Sequence, residues 1–276
     1  MVLVAHGSRD PRAAVATEAL ARAVRRACPA WLVEASYLDH AGPRPLDVLA
    51  SAPASRAILV PLLLTAAYHG RVDLPAVVRA AESLPISVTA TDVLGPASPL
   101  LLSALSRRLL AATQSAATEA GSLPGVTSDP LPGVLPDPAG SLPGVVPDPA
   151  GSLPWALDGV VLASAGTRNE AARATVADAA VALGRRLGLP AAVAYASGAG
   201  PTPGEAVTAL RAAGARRVGM SAYFLAPGLL HDLAARTARE AGAVAIAEPL
   251  TASPELVRLV AARVESALRH PLPLAA

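Results

Sequence analysis

Residues 1–10 read MVLVAHGSRD, and residues 160–169 read VVLASAGTRN. Each is a short apolar run that passes through a glycine, a hydroxyl residue and an arginine to end on Asp or Asn. A short apolar run bounded by a turn signal is the pattern of a strand covered on both faces. Residues 11–28 then carry Ala, Val and Leu on one side and Arg on the other, which is helical spacing. WLVEASYL (31–38), AILVPLLL (57–64) and ISVTATDVL (86–94) read as further strands, with helical stretches near 45–53 and 72–83 between them. A helix from about Ser98 to Ala112 closes the unit. From Asp158 the same order restarts. The expected class is α/β, with two similar lobes, each a small parallel sheet flanked by helices, and a cleft between them.

The copies align well beyond their first strands. YLDHAGPRPLDVL (37–49) falls without gaps on YASGAGPTPGEAV (195–207), and LVPLLLTAAYH (59–69) on MSAYFLAPGLL (220–230). Between them, residues 121–154 repeat AGSLPGV and PDP units, a Pro- and Gly-rich tract with the composition of a linker. The expected division is an N-terminal lobe at 1–116, a linker at 117–157 and a C-terminal lobe at 158–276.

Duplication supplies an internal control. Gly7 matches Gly166, Arg9 matches Arg168 and Tyr37 matches Tyr195, so the scaffold is shared. His6, in contrast, falls on Ala165, Asp39 on Ser197 and His69 on Leu230, with His231 one place on. All three divergent positions sit just past the carboxyl end of a predicted strand, where open parallel sheets bind ligands. Two imidazoles and a carboxylate gathered there suit a borderline divalent ion, with coordination positions left open for a substrate. The expectation is one active site, in the first lobe. Ser8 and Asp10 read either as caps of the following helix or, with Arg9, as part of an anion-binding helix start. His231 reads as a solvated helix start.

Bulk properties narrow the field. Apolar residues make up 53% of the 276 and charged residues 16%, which excludes a disordered chain, while aromatics at 3% leave a core of Ala, Val and Leu. The net charge of +2, with no Arg-rich stripe interleaved with aromatics, gives no nucleic-acid signature. A single cysteine, Cys28, excludes a disulfide framework and a thiolate metal site. The longest apolar run, 57–67, is short of the ~20 residues of a spanning helix, and the first strand begins at Val2, so a cytoplasmic protein without membrane attachment is expected. There is no Walker or GxGxxG fingerprint. A histidine phosphatase would need Arg where Ala5 stands, and a GxSxG hydrolase would need Gly where Leu162 stands.

The segments (L/V)VAHGSRD at 3–10, A-x-YLDHAGP at 35–43, VPLLLTAAYHGRVDLP at 60–75 and YFLAPGLL at 223–230 resemble the sirohydrochlorin chelatase family, the class II chelatases of CbiX/SirB type. The resemblance covers both halves and omits the linker. It implies two chelatase-like lobes that insert a divalent metal (Fe²⁺ or Co²⁺, with Ni²⁺ as a further candidate) into a tetrapyrrole, in sirohaem or cobalamin biosynthesis, with no organic cofactor. It places the two metal-binding histidines on His6 and His69, and a family glutamate on Asp39, one methylene shorter. Either imidazole or Asp39 is then a proton acceptor, the carboxylate-bearing substrate points to Arg9, Arg44 and Arg71, and Tyr68 is a candidate to face the macrocycle. Since one chain carries both lobes, a monomer is expected over a dimer. The competing expectation is a non-catalytic metal- or tetrapyrrole-binding protein on the same fold.

Overall fold

The computed structural model describes residues 1–65, 73–96, 98–121 and 156–269. The first lobe runs β1 (Val2–Ala5), α1 (Pro11–Ala27), β2 (Glu34–Tyr37), α2 (Pro45–Ser51), β3 (Arg56–Pro61), α3 (Leu74–Ala81), β4 (Ser87–Ala90) and α4 (Pro99–Gly121). The second repeats it as β5 (Gly159–Ser164), α5 (Glu170–Leu187), β6 (Ala191–Tyr195), α6 (Pro203–Ala212), β7 (Val218–Tyr223), α7 (Leu229–Glu240), β8 (Ala245–Ile246) and α8 (Pro254–Arg269). Helix starts follow the local chemistry. The Asp10 carboxylate accepts from the Arg12 N–H with Pro11 behind it, Asn169 accepts from the Ala172 N–H, and Thr202 and Glu205 close a capping box. Among the described residues no helix is long and apolar enough to cross a membrane.

Both sheets are wholly parallel, in the orders β2-β1-β3-β4 and β6-β5-β7-β8. Their registers reproduce the alignment read from sequence. Val2 lies opposite Glu34 and Leu59, as Val161 lies opposite Ala192 and Met220. In each sheet the chain leaves the first strand toward one neighbour and later returns to pair on its other side. The switch in strand order therefore falls at the carboxyl ends of β1 and β5, where a crevice opens in such sheets.

Two boundaries differ from expectation. The segment 86–94 is a strand only over Ser87–Ala90, because the chain then folds over the end of β3. The Leu94 N–H bonds the Leu63 carbonyl at 2.9 Å, and the Thr91 hydroxyl donates to the Asp92 carbonyl at 2.8 Å. The closing helix α4 continues past Ala112 to Gly121, so the first five residues of the expected linker, 117–121, are helical. No glycine or proline interrupts residues 100–120, and the Ser115 and Thr118 hydroxyls bond back to the Ala111 and Gln114 carbonyls. The remainder of the repeat tract, 122–154, lies outside the described residues.

The lobes exchange their closing helices. Helix α4 leaves its own sheet and packs on β7, β8 and α5, while α8 packs on β3 and α1, and the two helices pack on each other. One continuous core accordingly runs through both lobes, from Leu3, Val60 and Leu105 to Leu162, Leu256 and Val260. An outer cluster remains private to each lobe, one with Val4 and Leu59, the other with Val161 and Met220. The exchange is pinned by charge: Arg107 of α4 grips Glu255 of α8 through two bonds of 3.0 and 2.9 Å. The Glu255 side chain is only 8% exposed, and the guanidinium holds its carboxyl below the usual range.

Candidate active site

His6 is the first residue past β1. Its position depends on Gly7, whose backbone sits at φ +92°, a region that L side chains rarely adopt. A Cβ at Gly7 would lie 1.8 Å from the Asp39 carbonyl oxygen, so only glycine lets the two strand-end loops meet. The Asp39 N–H closes that contact by donating to the His6 carbonyl at 2.8 Å. In the second lobe Gly166, at φ +97°, makes the same approach to Ser197, with its virtual Cβ 1.9 Å from that carbonyl oxygen. The backbone device is thus duplicated and only the side chains differ.

The His6 Nδ1 lies 3.0 Å from the Gly7 carbonyl. A proton on Nδ1 satisfies that carbonyl and leaves the lone pair on Nε2, the tautomer by which a ligating imidazole is oriented through a backbone carbonyl. His6 lines a cavity of about 160 Å³ with Gly7, Tyr37 and Leu62 of its own lobe and Leu225, Ala226 and Thr251 of the other. The site is thereby an interlobe site. Tyr223, buried at the end of β7, ties the same region together by donating to the Leu64 carbonyl at 3.2 Å.

Asp39 stands beside His6 on the rim. Its carboxylate is exposed, with His40 Nε2 at 3.4 Å and Arg44 at 3.8 Å. The His40 backbone N–H, then the charges of His40, Arg44 and His6, hold its carboxyl below the usual range. Asp39 is consequently ionised at neutral pH and a weak base, better suited to attracting a cation than to taking a proton. Its neighbour His40, at φ +59°, sets its ring 6.1 Å from that of His6.

The other sequence-predicted residues divide. Ser8 accepts from the Asp10 N–H at 3.1 Å, which shapes the helix entry and leaves the O–H as a donor. Arg9 is exposed. Arg44 donates to the Leu38 carbonyl and leans on Asp39, which ties the guanidinium to its own loop. His69, Tyr68 and Arg71 lie outside the described residues. Among the described residues no group of three or more His, Cys, Asp or Glu side chains is placed to hold an ion.

His231 corrects an expectation. It occupies the first turn of α7 but is buried at 7% exposure, packed edge-on against Phe224 at 5.5 Å. The apolar face of that turn faces its own lobe's core, which draws the ring in.

One feature escaped the sequence reading. Arg12, in the first turn of α1, bridges Asp10 of its own lobe and Asp232 of α7, each at 2.6 Å. This clasp joins the starts of α1 and α7 across the cleft and holds both carboxyls below their usual range. The partners stand 220 positions apart, and no local pattern pairs them.

The CbiX family profile matches residues 1–112 and 159–267. No curated protein sequence matches the chain. Among solved structures the fold resembles SirB from Bacillus subtilis with Fe³⁺, at TM-score 0.70 and 18% identity, covering 98% of this chain and 95% of that one. It also resembles SirB from Bacillus subtilis subspecies spizizenii in complex with cobalt, at TM-score 0.68 and 17% identity, with the same coverage of 98% and 95%. CbiX, described as the terminal enzyme for biosynthesis of siroheme in denitrifying bacteria, aligns at TM-score 0.59 and 16% identity over 96% of this chain and 98% of that one.

Proposed function

The chain belongs to the CbiX family, and from that premise we propose that it is a sirohydrochlorin chelatase, a lyase that inserts Fe²⁺ or Co²⁺ into the tetrapyrrole. The observation that carries this reading is the placement of His6. A glycine-dependent turn delivers it to a cavity walled by both lobes, and the equivalent turn of the second lobe delivers Ala165 instead.

Insertion must strip water from the ion, bring it to the ring nitrogens and remove two pyrrole N–H protons. His6, presenting Nε2, holds the ion with His69, whose part is supported by the sequence alone. Asp39, ionised beside His6, lowers the free energy of the cation at the rim. Its depressed pKa makes it the weaker base, so the imidazoles, once they release the ion, accept the two protons. The metal is substrate, and no organic cofactor takes part. A cavity of about 160 Å³ suits an ion and its waters, whereas ligands of macrocycle size fill ~300–1,000 Å³. The ring therefore sits at the cavity mouth between the lobes, with Arg9 and Arg71 as candidate partners of its carboxylates. Both walls come from one chain, so the enzyme works as a monomer.

The test is anaerobic incubation with sirohydrochlorin and Fe²⁺ or Co²⁺, followed through the tetrapyrrole spectrum. Metallation well above the spontaneous rate, lost in His6→Ala and in His69→Ala, is expected. Stoichiometric binding without acceleration would assign a carrier instead, and folded histidine variants that match the parent would remove the site assignment.

A further inference from the structure

The second lobe has no counterpart of His6 or Asp39, yet it presents an anomaly of its own at the cleft. Leu229, the first residue of α7, is 77% exposed, more than any other large apolar side chain among the described residues, and Leu230 is 37% exposed. A lone exposed leucine is ordinary; its place in the fold is what matters. Leu229 precedes Asp232 by three residues, so the two share a helix face. Asp232 reaches over the cleft to Arg12 at 2.6 Å, which directs the Leu229 face toward the same opening. The loop leading into α7 places Leu225 and Ala226 in the wall of the His6 cavity. In the sequence alignment of the lobes, Leu229 and Leu230 fall where the first lobe carries Tyr68 and His69.

We propose that Leu229, with Leu230 beside it, is the second lobe's seat for the apolar face of the macrocycle, a positioning contact that presses the ring toward His6. The inference rests on the chelatase reading and deepens it. A tetrapyrrole is a flat conjugated ring with charged groups at its edge. Its face gains by leaving water, and a branched aliphatic side chain covers that face without offering a lone pair that would compete for the ion. The division of labour follows: one lobe offers donors to the metal, the other a donor-free surface to the ring. A second copy of this chain is the rival occupant, but two side chains cover far less than the roughly 1,000 Å² that a specific protein interface needs.

Leu229→Ser and Leu229→Met test the assignment in the full chain, using sirohydrochlorin and Co²⁺ as probes. For Leu229→Ser, both KM and the Kd for metal-free sirohydrochlorin, read by fluorescence quenching, are expected to rise about tenfold, the worth of one side chain's apolar contact. Its kcat should stay within about twofold, and Co²⁺ affinity of the tetrapyrrole-free protein should not move, since the substitution leaves the donors untouched. Leu229→Met should keep the parental values. Unchanged KM and Kd in Leu229→Ser would overturn the inference while leaving the chelatase reading intact. So would a parental self-association in sedimentation that the substitution abolishes. A parent that neither binds nor metallates sirohydrochlorin would overturn both, and that result is read on the parent alone.

Discussion

At the tips of β1 and β5 the same turn is built twice. Gly7 and Gly166 share a left-handed backbone, each presses against the loop after the neighbouring strand, and Tyr37 and Tyr195 brace the two loops from below by reaching the Ala14 and Arg173 carbonyls. What differs is the cargo, His6 with Asp39 in one lobe and Ala165 with Ser197 in the other. Features present in both lobes hold the fold, and those present in the first lobe alone are the candidates for the chemistry. That separation needs no relatives, because the molecule contains its own control.

Several experiments break or sharpen the comparison. The largest effect belongs to the cargo. His6→Ala should slow metallation by about a thousandfold, the middle of the range for a positioned catalytic group, with thermal stability unchanged, while Ala165→His should leave the rate at the parental value. Spectrophotometric rates with Co²⁺ decide both.

The shared turn should behave in the opposite manner. Gly7→Ala and Gly166→Ala force a Cβ into a backbone carbonyl in either lobe, and each should destabilise by about 3 kcal/mol in denaturant unfolding. Only Gly7→Ala should also abolish activity in the protein that remains folded, because only that turn carries the proposed metal ligand, His6.

The exchanged helices test whether the lobes are thermodynamically separate. Arg107→Ala leaves the buried Glu255 carboxylate with only the more distant Arg258, at 4.0 Å, as a cationic partner, and should cost about 2 kcal/mol at neutral pH. Both lobes should then unfold in one transition, read by calorimetry, since each sheet is roofed by the other lobe's helix. The sign with pH follows from the depressed Glu255 carboxyl. Its contribution is complete above the unfolded value and disappears as pH falls through the lower folded value, so parent and Arg107→Ala should converge in stability as pH drops through and below the ordinary glutamate range.

The smallest effect is expected at the clasp. Arg12→Ala removes an exposed interlobe pair and should lower the thermal midpoint at pH 7 only slightly, because solvent and salt screen such a pair. Asp10 and Asp232 are both held low, so this contribution too is lost on acidification. Thermal midpoints of parent and variant at pH 7 and pH 3 measure it.

Much of this was legible in the linear chain. The strand–helix alternation, the duplication and the divergence of His6 and Asp39 all follow from local pattern, and the strand registers agree with the alignment residue by residue. Short-range signals set the caps at Asp10, Asn169 and Thr202. Errors arose where long-range packing decides. In 86–94 apolar and polar residues alternate as far as Thr91 and apolar residues resume at Val93, so pattern alone could not show that the chain leaves the sheet after Ala90. His231 read as solvated because its burial depends on Phe224 and Ala247, brought to it by tertiary contact.

By itself, then, the sequence determined which residues form elements and which positions differ between the lobes, since periodicity, capping and turn chemistry act over a few neighbours. Tertiary structure alone decided that α4 and α8 trade sheets, that the His6 cavity takes a wall from the other lobe, and that Arg12 meets Asp232. Those contacts join residues up to 220 positions apart. Their selection rests on which apolar faces bury best together and which charges then come within reach, a condition no local window of the chain contains.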